Sequence, residues 1–255
     1  MKIKLCLPVV AFLALLSSCT NKIYAPALHN SDIAYMPKPM SSDSVKTATY
    51  ISGAFVSGGS PNLADDLTSG QLNISQAHTF NHFNLAYGAF GSAGNYHNNQ
   101  LKSTEPYYFT NKFFGAVGGR LSGNFFINNG GRTDFRLIGF EAVYSHEYGS
   151  YAQFRKAVSN QPGFYTNNRT DKFTAGVTSE IIFHTSKPTT QFGFRLFLGG
   201  NIGTSNVYTN KEIQLNNFTK NDGYFSFAYL MQIQQYFGII EFGGAFAQLR
   251  AGVKF

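Results

Sequence analysis

The sequence predicts an all-β protein, an antiparallel up-and-down barrel of about eight strands, and three observations carry that prediction. Its 255 residues include 26 Phe, 26 Gly and 15 Tyr, while charged residues make up only 13%. Aromatic and β-branched side chains with glycine punctuation favour strands over helices. From Thr47 onward, segments of roughly ten residues alternate apolar with polar side chains, which is the period of a strand with two different faces. Clusters of Asn, Gly, Ser and Pro separate these segments, as turns require.

The predicted strands, in order, are 47–57, 79–91, 113–127, 133–148, 172–184, 190–203, 223–234 and 238–255. In 190–203, Phe192, Phe194, Leu196, Leu198 and Ile202 share one face, and Gln191, Arg195 and Asn201 share the other. In 172–184, Phe173, Ala175, Val177, Ile181 and Phe183 oppose Lys172, Thr174, Thr178, Glu180 and His184. Segments 113–127 and 223–234 repeat the pattern, and 47–57, 79–91 and 133–148 carry weaker versions of it. Strands of this length cross a hydrocarbon layer at a tilt, since about 9–11 residues suffice. A strand within lipid must pair both edges, so these segments span only as a closed sheet. The apolar face then meets lipid and the polar face fills the lumen. Parity assigns Arg120, Glu141, Glu180, Arg195 and Arg250 to that lumen, and buried charges of mixed sign must pair. An eight-stranded barrel has an interior only wide enough for its own side chains, so this network is expected to plug it. Upstream of the final strand's end, Ile240, Phe242 and Phe246 have the opposite parity to Leu249, Ala251, Val253 and Phe255, which predicts a β-bulge near Phe246 to Leu249. Residues 61–76, with Asp65 and Asp66, read as a solvated loop.

Eight strands with a periplasmic C-terminus carry a conflict. The long connections 92–112, 149–171 and 204–222 then fall on the periplasmic side, the reverse of the usual asymmetry.

The N-terminus reads as a leader. Lys2 and Lys4 precede an apolar run from Leu5 to Leu16, followed by Ser17-Ser18-Cys19. That run is too short for a membrane-spanning helix, which needs about 20 residues. Leu16-Ser17-Ser18-Cys19 resembles the lipobox of bacterial lipoproteins, which implies cleavage after residue 18 and acylation of Cys19. The predicted mature chain has 255 − 18 = 237 residues. Cys6 lies in the leader, so no disulfide is expected. Removing Lys2 and Lys4 lowers the formal charge from +7 to +5, with no basic cluster suited to nucleic acid.

Residues 19–46 carry Pro26, Pro37 and Pro39 without periodicity and read as a lipidated extended tether, with the barrel domain occupying 47–255. Asp43-Ser44-Val45 resembles the O-glycosylation sequon of Bacteroidetes, which implies a glycan on Ser44. The stretch Tyr24-Ala25-Pro26-Ala27-Leu28-His29-Asn30, with Pro39, Asp43 and Tyr50-Ile51-Ser52-Gly53, is similar to uncharacterised Bacteroidetes lipoproteins that carry a C-terminal β-barrel domain. The alternating, Phe-terminated C-terminus resembles the assembly signal of outer-membrane barrels. These resemblances imply location rather than activity. Thr20, Asn21, Lys22 and Ile23 lack the acidic run that resembles a surface-export signal in that phylum, so a periplasm-facing lipid is expected.

No catalytic set is visible. His78 and His82 share a strand-like stretch at a separation of roughly 13 Å, and no zinc-like spacing occurs among the six histidines. Glu180 and His184 lie at the same unhelpful distance, and no serine sits in Gly-x-Ser-x-Gly. The expectation is therefore a non-enzymatic outer-membrane barrel lipoprotein with a plugged lumen and a structural or accessory role. Its partners are outer-membrane lipid and an unidentified protein, with no cofactor, metal, nucleic acid or small-molecule substrate. Two alternatives stand beside it: a periplasmic lipoprotein whose soluble barrel binds an apolar ligand, and a membrane barrel enzyme acting on lipid or peptide.

Overall fold

The computed structural model describes residues 22–255 except 30, 61–62, 130–131, 186–188 and 203–222. Strands run β1 (Lys22–Tyr24), β2 (Thr47–Gly59), β3 (Asp66–Thr79), β4 (Phe83–His97), β5 (Asn111–Asn129) and β6 (Thr133–Tyr148). After helix α1 (Ser150–Val158) come β7 (Phe164–Thr166), β8 (Asp171–His184), β9 (Thr190–Ile202), β10 (Gly223–Ile233), β11 (Tyr236–Gly243) and β12 (Phe246–Lys254). All but β1 and β7 form one closed antiparallel barrel, in which each strand pairs with its sequence neighbour and β12 closes onto β2.

The barrel has ten strands rather than about eight. Strand β3 was hidden because its outward face is mixed: Thr68, Gly70 and Gln76 accompany Leu72 and Ile74, which blurs the alternation. The expected bulge near Phe246 is instead a tight connection at Gly244 and Ala245 that divides the last segment into β11 and β12. A turn resets parity as a bulge would, and Phe246 consequently points inward and is buried.

The two added strands remove the conflict over the connections. Thr47 pairs with His78 and Lys254 with Tyr50, so the barrel starts and finishes at one end. The short connections 80–82, 130–132, 185–189 and 234–235 lie at this turn end. The connections 98–110, 149–170 and 203–222 join strands at the opposite, loop end. Insertion of β3 reverses every later strand relative to an eight-strand reading, which is why the long segments change sides.

Side chains are sorted as strand geometry requires. Outward positions carry exposed Phe55, Leu72, Val117, Ile138, Val177, Leu196, Leu198, Phe227 and Leu249. Inward positions carry buried Ser52, Gln71, Arg120, Ser122, Glu141, Thr174, Glu180 and Arg195. A bulge in β6 between Arg136 and Gly139 places Leu137 and Ile138 both outward and shifts inward parity from even to odd numbers.

The tether expected over 19–46 does not hold the domain at a distance where the chain is described before residue 41. Residues 23–29 and 31–40 are buried, packed within the barrel against its inward side chains. Their lack of periodicity has a physical cause: a segment enclosed on all sides has no solvent face to mark in sequence.

Candidate functional site

The lumen holds the molecule's concentration of buried charge. All five side chains expected there point inward, with relative exposures of 7% for Arg120, 3% for Glu141, 2% for Glu180, 1% for Arg195 and 3% for Arg250. Arg195 lies between two carboxylates: it pairs with Glu141 and donates to Glu241 at 2.8 Å and to the Ser226 hydroxyl at 2.7 Å. Glu180 accepts from Arg136 at 2.9 Å. The other two arginines turn to the N-terminal segment. Arg120 Nε donates to the Asp32 carbonyl at 2.8 Å, and Arg250 donates to the Tyr35 carbonyl at 2.6 Å. A charge buried without a partner is destabilising by several kcal/mol. These contacts therefore make the segment part of the lumen's charge balance.

Charges on the segment itself complete the pattern. Asp32 faces Lys172 at 3.1 Å and accepts from the Thr174 hydroxyl at 3.0 Å. Lys38 stands 3.8 Å from Glu180, and the Tyr35 hydroxyl donates to the same carboxylate. The Tyr35 backbone N–H donates to Glu241 at 3.0 Å, while Arg136 donates to the Pro39 carbonyl at 3.0 Å. Nearer the turn end, Ser41 donates to Asp134 through its backbone N–H and its hydroxyl. Asp43 then meets Gln191 at 2.8 Å and Lys254 at 3.3 Å. An apolar patch supports this framework, with Tyr35 and Met36 packed among Ala228, Leu230, Phe237 and Ile239. Beyond Asp43 a cavity of about 550 Å³ opens at the turn end, lined in part by Ser44, Gln191, Gln232 and Lys254.

The loop end is covered from the other side. Gly149 has φ +114°, and a Cβ there would lie 2.8 Å from the Phe113 carbonyl, so glycine permits the chain to leave β6 and enter α1. Helix α1 buries Tyr151, Phe154, Arg155 and Val158, one face at helical spacing. Tyr151 stacks on Tyr96 at 3.9 Å, and Phe154 meets Tyr24 edge-on at 5.1 Å. Arg155 pairs with Glu147 at 2.8 Å, which also accepts from the Ala27 N–H. Strand β7 runs parallel to β1 and fixes the segment's first residues. Burial pushes the Tyr24 and Tyr151 hydroxyls well above their ordinary range, so both remain neutral. At the exposed rim, the hydrogen bond from Lys22 holds the Glu105 carboxyl below its usual range.

Several of these residues were not legible in sequence. Arg136 escaped because the β6 bulge breaks the parity that identified Glu141. Glu147 and Glu241 lie on inward faces but were not singled out, and Lys172, on the polar face expected from parity, was not among the lumen charges named. Asp32, Lys38 and Asp43 lie in the aperiodic segment. Cys19 lies outside the described residues. Ser44 is exposed at the turn end, next to Asp43. Among the described residues, no three His, Cys, Asp or Glu side chains converge as a metal site requires.

No family model and no curated protein matches the chain. Among solved structures it is similar to the transport unit of the autotransporter AIDA-I from Escherichia coli, at 8% identity over 89% of this chain and 94% of that one, with a TM-score of 0.42. It is similar to the translocator domain of the autotransporter NalP from Neisseria meningitidis, at 6% identity, 84% and 89% coverage and a TM-score of 0.41. An outer membrane channel from Pseudomonas putida F1 gives 10% identity, 86% and 100% coverage and a TM-score of 0.39. Likeness at this level carries no functional argument, and the functional reading rests on this chain's own side chains.

Proposed function

We propose that the chain is an outer-membrane β-barrel lipoprotein, acylated at Cys19, whose lumen is plugged by its own N-terminal segment and whose role is structural or accessory. The observation that carries the reading is the sidedness of the barrel. Charged and amide side chains are enclosed, and apolar ones face out around the sheet. Water-soluble monomers rarely expose contiguous apolar patches above about 300–600 Å². An exterior bearing Leu72, Val117, Ile138, Leu196 and Leu249 on successive parts of the sheet suits hydrocarbon instead. Aromatic residues stand near both ends of the strands, Phe83, Phe125, Phe183 and Tyr236 by the turns and Phe113, Tyr148, Phe173 and Phe225 by the loops. Such girdles flank the apolar band of transmembrane barrels. Short turns at the end holding the C-terminus match the periplasmic side of those barrels, which makes the loop end external.

A soluble barrel holding an apolar ligand requires the opposite sidedness, so the sorting of side chains favours the membrane reading over that alternative. Residues 31–40 are buried inside the barrel and ion-paired to its wall, which supports a closed rather than a conducting barrel. In the test, the Cys19→Ala variant is purified from membranes and examined by carbonate extraction, heat-modifiable gel migration and planar-bilayer recording. Resistance to alkaline carbonate, a compact unheated form and no steady conductance are expected. Release by carbonate overturns the membrane reading, and a steady pore in the intact chain overturns the plug.

A further inference from the structure

The buried segment has a direction, and contacts at its two ends define it. At the loop end, the Lys22 N–H donates to the Gly163 carbonyl at 3.1 Å and its ammonium to Glu105 at 2.7 Å. At the turn end, Asp43 meets Lys254 at 3.3 Å. Between them Asp32 and Lys38 engage Lys172 and Glu180, which follow one another along β8 towards the turns. The chain thus enters the lumen at the loop end, runs the length of the barrel and leaves at the turn end, where β2 begins.

We infer that the mature N-terminus emerges at the external end of its own barrel, so that the acyl chains on Cys19 enter the outer leaflet at the cell surface. This rests on the outer-membrane reading above and reverses the periplasm-facing lipid expected from the residues after Cys19. Covalent reach makes the assignment discriminating. Cys19 precedes Lys22 by three residues, which extended chain spans in at most roughly 11 Å. The hydrocarbon core is about 30 Å thick, so the opposite headgroup layer lies beyond reach while Lys22 keeps its contacts. A consequence for assembly follows. A diacylated cysteine cannot be drawn through a lumen packed with ion pairs, so the β12–β2 seam must close around a segment already in place.

Because the predicted mature chain has no cysteine besides Cys19, single substitutions report position directly. Asn21→Cys, Thr104→Cys and Asn81→Cys are each labelled in intact and in permeabilised cells with a membrane-impermeant maleimide. Heat-modifiable migration verifies folding of each variant. Labelling of positions 21 and 104 on intact cells, with position 81 labelled only after permeabilisation, is the expected result. Labelling of 104 without 21 on intact cells overturns the threading while leaving the barrel reading intact. Labelling of 81 without 104 overturns the external assignment by reversing the barrel. Release by carbonate once Cys19→Ala is added to each variant removes the membrane reading itself, a failure distinct from the other two.

Discussion

Replacing Asp32 by alanine isolates the segment's contribution to the barrel. The Asp32 carboxylate lies 3.1 Å from the Lys172 ammonium, and the two side chains are 0% and 3% exposed. Its loss leaves Lys172 with the Leu28 carbonyl and, beyond ion-pair distance, only the charge of Glu147, which Arg155 already engages. Thr174 keeps Asn201 as an acceptor at 2.6 Å, so the hydroxyl is not orphaned and adds little. Breaking a buried pair from one side is destabilising by about 3–5 kcal/mol. At about 2–4 °C per kcal/mol for domains of 150–250 residues, the midpoint of the heat-modifiable transition should fall by roughly 6–20 °C. A double variant, Asp32→Ala with Lys172→Met, removes both charges, and apolar replacement of a whole buried pair is often neutral or stabilising. It should therefore recover most of the loss. A midpoint unchanged in the single variant, or a double variant that loses more than the single one, refutes the placement of Asp32 against Lys172 inside the lumen.

Leu196→Arg, at the centre of β9 and facing out, should be destabilising by about 2–4 kcal/mol in a bilayer, read as a loss of the folded, heat-modifiable form in vesicles; full assembly would contradict a lipid-facing exterior. Gly118 and Gly53 form a contrasting pair. A Cβ at Gly118 would stand 2.3 Å from the Tyr144 carbonyl and 2.6 Å from the Phe90 ring, whereas one at Gly53 meets nothing within 4 Å. Gly118→Ala should thus lose about 1–3 kcal/mol by overpacking, and Gly53→Ala should unfold with the parent midpoint. At the rim, Glu105 has its folded-state pKa lowered by the hydrogen bond from Lys22. A lowered carboxyl pKa means a contribution present above the unfolded value and lost as pH falls through the folded one. Hydrogen-exchange protection of the Lys22 amide should hold from neutral to mildly acid pH and drop only in stronger acid, and Glu105→Gln should abolish that response. Mass spectrometry of the membrane form should show acyl chains on the parent and none on Cys19→Ala.

What the sequence determined by itself is the sidedness of the sheet and much of the charge placed within it. Alternation at period 2 is a local property, so Arg195, Glu180 and Glu141 could be assigned inward, and Leu196, Val177 and Phe194 outward, without knowing which strands pair. The expected leader and the acylation proposed at Cys19 rest on local pattern alone and lie outside the described residues. Tertiary structure decided three other things. Strand β3 exists because its neighbours supply two edges to pair, not because its own outward face is apolar. Arg136 reaches Glu180 because the β6 bulge interrupts parity, and only pairing across to β5 and β8 reveals the extra residue. Residues 31–40 lie in the lumen because Lys172, Glu180, Glu241, Arg120 and Arg250 surround them with partners from many strands. A segment whose every side is occupied by a different part of the chain carries no period of its own, so its place becomes visible only once the barrel has closed.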